Sequence, residues 1–435
     1  MAVTAHGLTD PGMHRTSNED HILTDPDLGL YMIADGMRAS GDGITASRIV
    51  TEHVRGTLGS SRHVLDRYRD DPSPENRGAL ERIVSDAVGE ICGRLHLMSP
   101  EERKVRGAGT TLTLLGIFGS KAFVAHVGDS RIYLLRQDQF YLITEDHSLL
   151  HEYLKKGLIT MDDPRVERLR KVLTRGIGLT ENVQIDFQHF DVVQGDQFLL
   201  CSDGLHRYLS DIEEVRQIFA TNDLDAVPAT LVVLANSMGG EDNIGALVAR
   251  IDDVGRVIDP KEPATDVKLQ IALLEGIPLF SGLDYSELLT LHSLIKLHPV
   301  RTGQVVIAEE ATGSELYVVL SGRLVVTRDG TELASLERGD HFGEIGLLGH
   351  GARTATVTST HPGLLMSIDR DTFLELMRRE PAMSVKVLWR FTETLARRLR
   401  RTNELLRSLG SDGELSIRFS RAPEDDEDVT HHTKA

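Results

Sequence analysis

The sequence predicts an α+β chain of two folded units, a larger mixed one followed by a smaller β-rich one, on three observations. Its 435 residues exceed what one ordinary core organises, at roughly 150 residues per domain. Residues 1–252 alternate short β-branched runs with amphipathic helices, whereas the later part is dominated by strand-like runs joined by glycine turns. Between them, DVGRVIDPKEPATD at residues 253–266 holds two prolines and mixed charge with little apolar periodicity, as a linker does. The expected division is 1–252, a linker at 253–268, a second unit at 269–408 and a tail at 409–435.

In the first unit, strands are expected at Leu30–Ala34, Thr111–Ile117, Ala122–Val127, Ile132–Leu135 and Gln197–Cys201, runs punctuated by Gly and Asp. Two amphipathic helices are expected there. In the second of them Leu80, Ile83, Val84, Ala87, Val88, Ile91 and Leu95 recur at helical spacing, so that stripe belongs to the core. After the linker a short helix precedes GQVVIAEE, ELYVVLSGRLVVTRDGTELASL and LLMSID, with turns such as Asp329-Gly330. A helix is expected from Pro381 to about Ser408, and residues 390–407 hold six Arg against two Glu. That face is read as solvated, as a lid, as a dimer helix or as an anion-binding surface. The closing SRAPEDDEDVTHHTKA is acidic and lacks apolar content, so disorder is expected.

Composition removes several function classes. Apolar residues at 40% and charged residues at 26% describe a globular protein. A net charge of −18 repels nucleic acid and anionic lipid, so neither is an expected partner. Cys92 and Cys201 offer no CxxC pair, zinc spacing or disulfide framework, which suits a reducing cytoplasm. No apolar leader region and no run of 18 apolar residues is present, so a cytoplasmic location without membrane spanning is expected. No P-loop, HExxH or GxSxG occurs.

Four aspartates sit beside Gly or Asn at the ends of apolar runs: Asp35 in MIADGM, Asp129 in HVGDSR, Asp203 in LLCSDGL and Asp242 in GGEDNIG. RTSNED adds Arg15, Glu19 and Asp20. One Asp-Gly is ordinarily a turn. Together, carboxylates placed where strands stop can converge from distant parts of a chain, and such an oxygen-rich cluster suits Mg²⁺ or Mn²⁺ better than zinc.

The ordered set RxxxED, ADG, GTTL, GDSR, EDHS, LTRGIG, LLCSDGL and DN resembles the metal-dependent protein phosphatases, the PPM or type 2C family, over about residues 5–251. The resemblance implies an α-β-β-α sandwich, Mn²⁺ or Mg²⁺ as cofactor, and hydrolysis of phosphoserine and phosphothreonine in proteins phosphorylated by Ser/Thr kinases. It implies that Asp35 bridges two ions, that Glu19 and the Gly36 carbonyl serve one of them, and that Asp203 and Asp242 hold the other. Asp20 would orient these ligands, Arg15 would grip the substrate phosphate, and Asp129 would share a third, weaker ion with Asp203. A pair of ions about 3.5–4 Å apart activates water without a phosphoenzyme. No CxxxxxR loop surrounds either cysteine, which disfavours a tyrosine-phosphatase mechanism. Two departures stand out: Met37 replaces a histidine of many eukaryotic relatives, and Arg38 replaces a glycine. Residues 147–172 correspond to the family's flap, and His126, His147 and His151 are read as structural.

In the second unit, HFGEIGLLGHGARTATV places Glu344 after Gly343 and Arg353 nine residues later, with Thr354 beside it. With IPLFSGL and Gly303, Gly313 and Gly322, this resembles the β-roll of cyclic-nucleotide-binding domains over about residues 275–405. The resemblance implies cAMP or cGMP as regulatory ligand. Arg353 and backbone N–H groups near Gly343 would take the phosphate, Glu344 the ribose hydroxyl and Thr354 a purine edge. Two competing readings are kept: a catalytically weak phosphatase fold acting as a phosphoprotein scaffold, and a β-roll without nucleotide serving as a docking module or as a homodimer contact through the C-terminal helix.

Overall fold

The computed structural model describes residues 2–37, 46–97, 109–136, 139–209, 212–254, 271, 274–292, 294–343 and 352–409. Two five-stranded antiparallel sheets make the centre of the first unit. One runs in the order Ala2–Asp10, Ile244–Asp253, Gln197–Cys201, Arg131–Arg136, Gln139–Leu142; the other runs Asp186–Asp191, Lys121–Val127, Leu112–Phe118, Leu30–Ala34, His21–Asp25.

Alternation along the strands explains the layering. From Leu30–Ala34, Tyr31 and Ile33 point into the space between the sheets, where they join Leu115, Val124, Ile132, Phe198 and Leu247. Leu30 and Met32, on the opposite face, join Val50, Leu58, Leu80, Val88 and Ile91 of the helices Ala46–Ser60 and Pro74–Leu97. The outer face of the other sheet, through Leu199, Cys201 and Val248, is covered by the helices Ile212–Thr221 and Val227–Ser237. The result is an α-β-β-α sandwich, and both cysteines are free and buried.

The five expected strands are present within a residue or two of their ends. Expectation and structure differ elsewhere. The first unit has more than two helices, because Ala46–Ser60, Arg62–Asp70 and Pro74–Leu97 are separate elements broken at Ser61 and at the proline. The edge strand Ala2–Asp10 was not expected; it pairs with Ile244–Asp253 while none of its residues is fully buried.

The second unit is an antiparallel six-stranded roll built on the long strands Leu316–Arg328 and Thr356–Ile368. Leu316–Arg328 returns through Asp329 and Gly330 into Thr331–Leu336, and φ is positive at both turn residues, 49° and 76°. The helix after Arg370–Arg379 spans Pro381–Leu409. The units touch: the sandwich core continues into Ile277, Phe280, Leu288 and Leu291, and the rings of Tyr141 and Tyr285 stack with centroids 3.4 Å apart. Among the described residues no helix is long and apolar enough to cross a membrane. Most of the expected linker and nearly all of the acidic tail lie outside the described residues.

Candidate active site

The strand Leu30–Ala34 is wholly buried, and the chain leaves its sheet at Asp35. There three hydrogen bonds replace the ladder. The Asp35 N–H donates to Thr111 Oγ1 at 2.9 Å, and the Asp35 carbonyl accepts from Thr110 Oγ1 at 2.9 Å and from the Thr111 N–H at 3.0 Å. Thr111 Oγ1 also lies 2.8 Å from Ser130 Oγ, so the GTT and GDS segments jointly fix where the Asp35 carboxylate starts. The Gly36 N–H donates to the Glu19 carbonyl at 3.2 Å, and a Cβ on Gly36 would stand 2.7 Å from that oxygen. Only glycine brings these two segments so close.

Asp203 opens the helix Asp203–His206 directly after the buried strand Gln197–Cys201. A Cβ on Gly204 would lie 1.9 Å from the Asn243 carbonyl oxygen, so the SDG turn is pressed against the segment that carries Asp242. Asn243 ties that segment to the N-terminal loop: its Nδ2 donates to the carbonyls of Pro11 at 3.0 Å and Ser17 at 2.8 Å, and its Oδ1 accepts from the Glu19 N–H at 2.9 Å. Ser202 Oγ donates to Asp20 Oδ2 at 2.6 Å and accepts from the Gly245 N–H at 2.8 Å. Asp129, buried, is anchored through its carbonyl, which accepts from His206 Nε2 at 2.9 Å.

These acids share one electrostatic field. Burial is the largest influence on Asp35 and holds its carboxyl well above the usual range, and the charges of Asp20, Asp203, Asp129 and Asp242 push the same way. Asp129 is likewise held well up, by burial and then by Asp203 and Asp146. Asp203 is raised by burial against the opposing pull of Arg207, and Asp20 is pushed up to about 8 by burial although Ser202 pulls it down. Asp20 Oδ1 is buried with no hydrogen-bond partner.

Two guanidiniums face this cluster. Arg15 Nη2 lies 2.8 Å from Asp242 Oδ2, and Arg207 is ion-paired to Asp203. The structure thus gathers Arg15, Glu19, Asp20, Asp35, Gly36, Asp129, Asp203 and Asp242 at one end of the sandwich. Among the described residues no three His, Cys, Asp or Glu side chains already form a metal-holding group. The donor set nonetheless fits a hard divalent cation: it is all oxygen, mutually repelling and at least half-buried, with one buried carboxylate oxygen unpartnered.

The flap base joins the same region. His147 Nδ1 accepts from the Gly128 N–H at 3.1 Å, beside Asp129, while Nε2 lies 2.9 Å from Asp186 Oδ2. Arg175 completes that group with a bond to Asp186 at 2.5 Å. His126 is buried against His147, and burial pushes it down to about 3; His151 lies 3.6 Å from Glu145. Arg38 lies outside the described residues.

In the β-roll, Arg353 is buried and held by carbonyls: Nη1 donates to Gly343 O at 3.2 Å and Nη2 to Glu315 O at 3.0 Å, with Glu315 Oε2 at 3.4 Å. Gly313 and Gly343 leave the room it occupies, since a Cβ on either would stand within 2.9 Å of the guanidinium. Thr354 is exposed beside it, and Glu344 lies outside the described residues.

The sequence matches the family model described as protein phosphatase 2C over residues 14–230 and the model described as cyclic nucleotide-binding domain over residues 297–380. Protein phosphatase PhpP of Streptococcus pneumoniae is 32% identical over 251 residues, covering 57% of this chain and 96% of PhpP. The serine/threonine phosphatase stp of Listeria innocua is 30% identical over 243 residues, covering 55% of this chain and 92% of stp. This chain belongs to the protein phosphatase 2C family. It is a protein serine/threonine phosphatase that carries a cyclic nucleotide-binding domain. Among solved structures, the serine/threonine phosphatase PstP/Ppp of Mycobacterium tuberculosis is 27% identical, covers 58% of this chain and 100% of its own, and superposes with a TM-score of 0.48.

Within this protein phosphatase 2C domain, sequence reasoning missed residues that position others: Thr110, Thr111, Ser130, Ser202 and Asn243. Their motifs were visible, but what each hydroxyl or amide bonds to depends on segments up to 232 residues away. Arg207 had a local signal, a cation four residues after Asp203 on a helix.

Proposed function

We propose that this phosphatase hydrolyses phosphoserine and phosphothreonine with two divalent ions, Mn²⁺ or Mg²⁺, and that cAMP or cGMP bound in the β-roll sets its rate. The observation that carries the catalytic reading is the convergence of Asp35, Asp203 and Asp242 from three distant chain segments into one buried field. Asp35, Glu19 and the Gly36 carbonyl would hold one ion, Asp203 and Asp242 the other. When bound, the ions supply Lewis acidity, sharpening water as a nucleophile and neutralising phosphoryl oxygen charge. Asp20, locked by Ser202, keeps the ligands oriented. Arg15, with its side chain 55% exposed, is placed to leave Asp242 for the substrate phosphate, where its planar fork binds two oxygens. Met37 carries no titratable proton, so the leaving oxygen takes its proton from solvent or from another group.

The regulatory reading is supported by Arg353, a buried guanidinium whose neighbours are mainly carbonyl oxygens. Such a group can take a phosphate as a second anionic partner beside Glu315. Coupling is supported by the contact between the units. A cavity of about 450 Å³ is lined by Glu145, Lys155, Arg175 and Asp186 at the flap base and by Glu287, Glu380 and Met383 of the second unit. From Asp186 the contacts continue through His147 to the Gly128 N–H, next to Asp129. A nucleotide that favours one arrangement of this junction shifts activity by its differential affinity, typically about 1–3 kcal/mol.

The test is turnover of p-nitrophenyl phosphate and of a phosphothreonine peptide with Mn²⁺, with and without each nucleotide. Turnover that needs Mn²⁺ and changes severalfold with one nucleotide is expected. No change in rate or melting temperature with either nucleotide would remove the regulatory half.

A further inference from the structure

We propose that Arg207 is a built-in counter-cation for Asp203 that takes the place of a third metal ion, so that the domain holds two divalent ions and not three. The inference rests on the metal reading above and concerns one residue that reading leaves unused.

Arg207 clamps Asp203 at both main chain and side chain. Its N–H and its Nε both donate to the Asp203 carbonyl, at 3.2 and 3.1 Å, while Nη2 is ion-paired to Oδ2. Nη1 lies 3.7 Å from Glu241. The Arg207 side chain is only 13% exposed, against 55% for Arg15. Arg15 can swing outward to a substrate, whereas Arg207 sits, mostly buried, at the C-cap of the short helix Asp203–His206.

An ion shared between Asp129 and Asp203 would have to share the Asp203 carboxylate with Arg207, which is ion-paired to its Oδ2. It would also place a double positive charge beside a guanidinium that cannot lose its proton. The fixed cation already supplies one positive charge to the Asp203 carboxylate through Oδ2. Arg207 is therefore a positioning residue: it acts through Asp203 and sets how many ions the acidic cluster accepts.

The experiment counts ions in the full chain. Protein stripped with EDTA is dialysed against rising Mn²⁺, and bound metal is measured by mass spectrometry and by the electron paramagnetic resonance of the free ion. Wild type is expected to saturate at two ions, Arg207→Lys at two, and Arg207→Gln at three, with a native-like melting transition. Saturation of wild type at three, or of Arg207→Gln at two, overturns the inference while leaving the metal reading intact. If Arg207→Gln does not fold, the counts for wild type and Arg207→Lys decide: two in both supports it and three in either overturns it. Uptake of no Mn²⁺ by wild type sinks the metal reading itself, and this inference with it.

Discussion

In the phosphatase domain Asp20 and Asp129 are buried and Asp35 and Asp203 half-buried, and together they drive one another towards their protonated forms. In the β-roll a single guanidinium, Arg353, is buried against carbonyl oxygens and one glutamate. Both regions are suited to a phosphate, but by opposite routes. A nest of carboxylates repels a phosphoryl group until cations intervene, so its chemistry is conditional on metal. A guanidinium meets an anion directly, so the sensing proposed for the roll requires only the ligand. The difference teaches that the two activities are separable by reagent as well as by substitution: a chelator should silence one site and leave the other.

The largest effect sharpens that contrast. Asp35→Asn removes the one carboxylate expected to touch both ions, and turnover should fall by about 10³-fold or more, the scale on which loss of a charge-stabilising group acts. The nucleotide-dependent rise in melting temperature should persist in the same variant, and in wild type treated with EDTA. Calorimetry that showed nucleotide binding lost together with catalysis would break the separation. Next in size is Arg353→Gln. Losing charge-assisted bonds worth about 1.5–3 kcal/mol weakens cyclic nucleotide binding by about 10- to 100-fold. Isothermal titration with cAMP and cGMP reads this directly, and unchanged affinity would place the ligand elsewhere.

The two regions also differ in how much of them the sequence disclosed. Strands such as Leu30–Ala34 and Gln197–Cys201 were legible because they are buried on both faces and read as unbroken apolar runs. Ala2–Asp10 was not, because an edge strand that is nowhere fully buried has no such run. The helical stretch before Leu97 read as two pieces instead of three, since a break at Ser61 leaves the apolar spacing on either side intact. At the catalytic end the carboxylates themselves were legible as aspartates at strand ends. The hydroxyls of Thr110, Thr111 and Ser202 that aim them were not, because Ser and Thr of this kind resemble ordinary strand-end residues. The junction between the units was the least legible. The stack of Tyr141 on Tyr285 joins residues 144 positions apart, and neither residue announces its partner.

That junction supplies the smallest predicted effect, and one that tests whether the two regions are coupled at all. Glu380 precedes the helix Pro381–Leu409 and lines the cavity between the units. Burial is the main influence on it, and Asp186 and Glu145 of the phosphatase domain and Glu287 of the second unit add to it; only Lys155 pulls the other way. Together they lift its pKa from the ordinary 4.5 to about 7. The folded form thus binds this proton more tightly than the unfolded form. Its stabilising contribution is complete below the ordinary carboxylate pKa and is lost as pH rises through about 7. Glu380→Gln keeps the shape and removes the ionisation. The variant should therefore match wild type near pH 5 and melt about 2 °C or more above it near pH 8, with a larger nucleotide response at the higher pH if the junction transmits it. A melting difference that stayed constant from pH 5 to pH 8 would show that Glu380 does not titrate at the junction. Equal nucleotide responses in the two proteins would then place the coupling between roll and phosphatase outside this cavity.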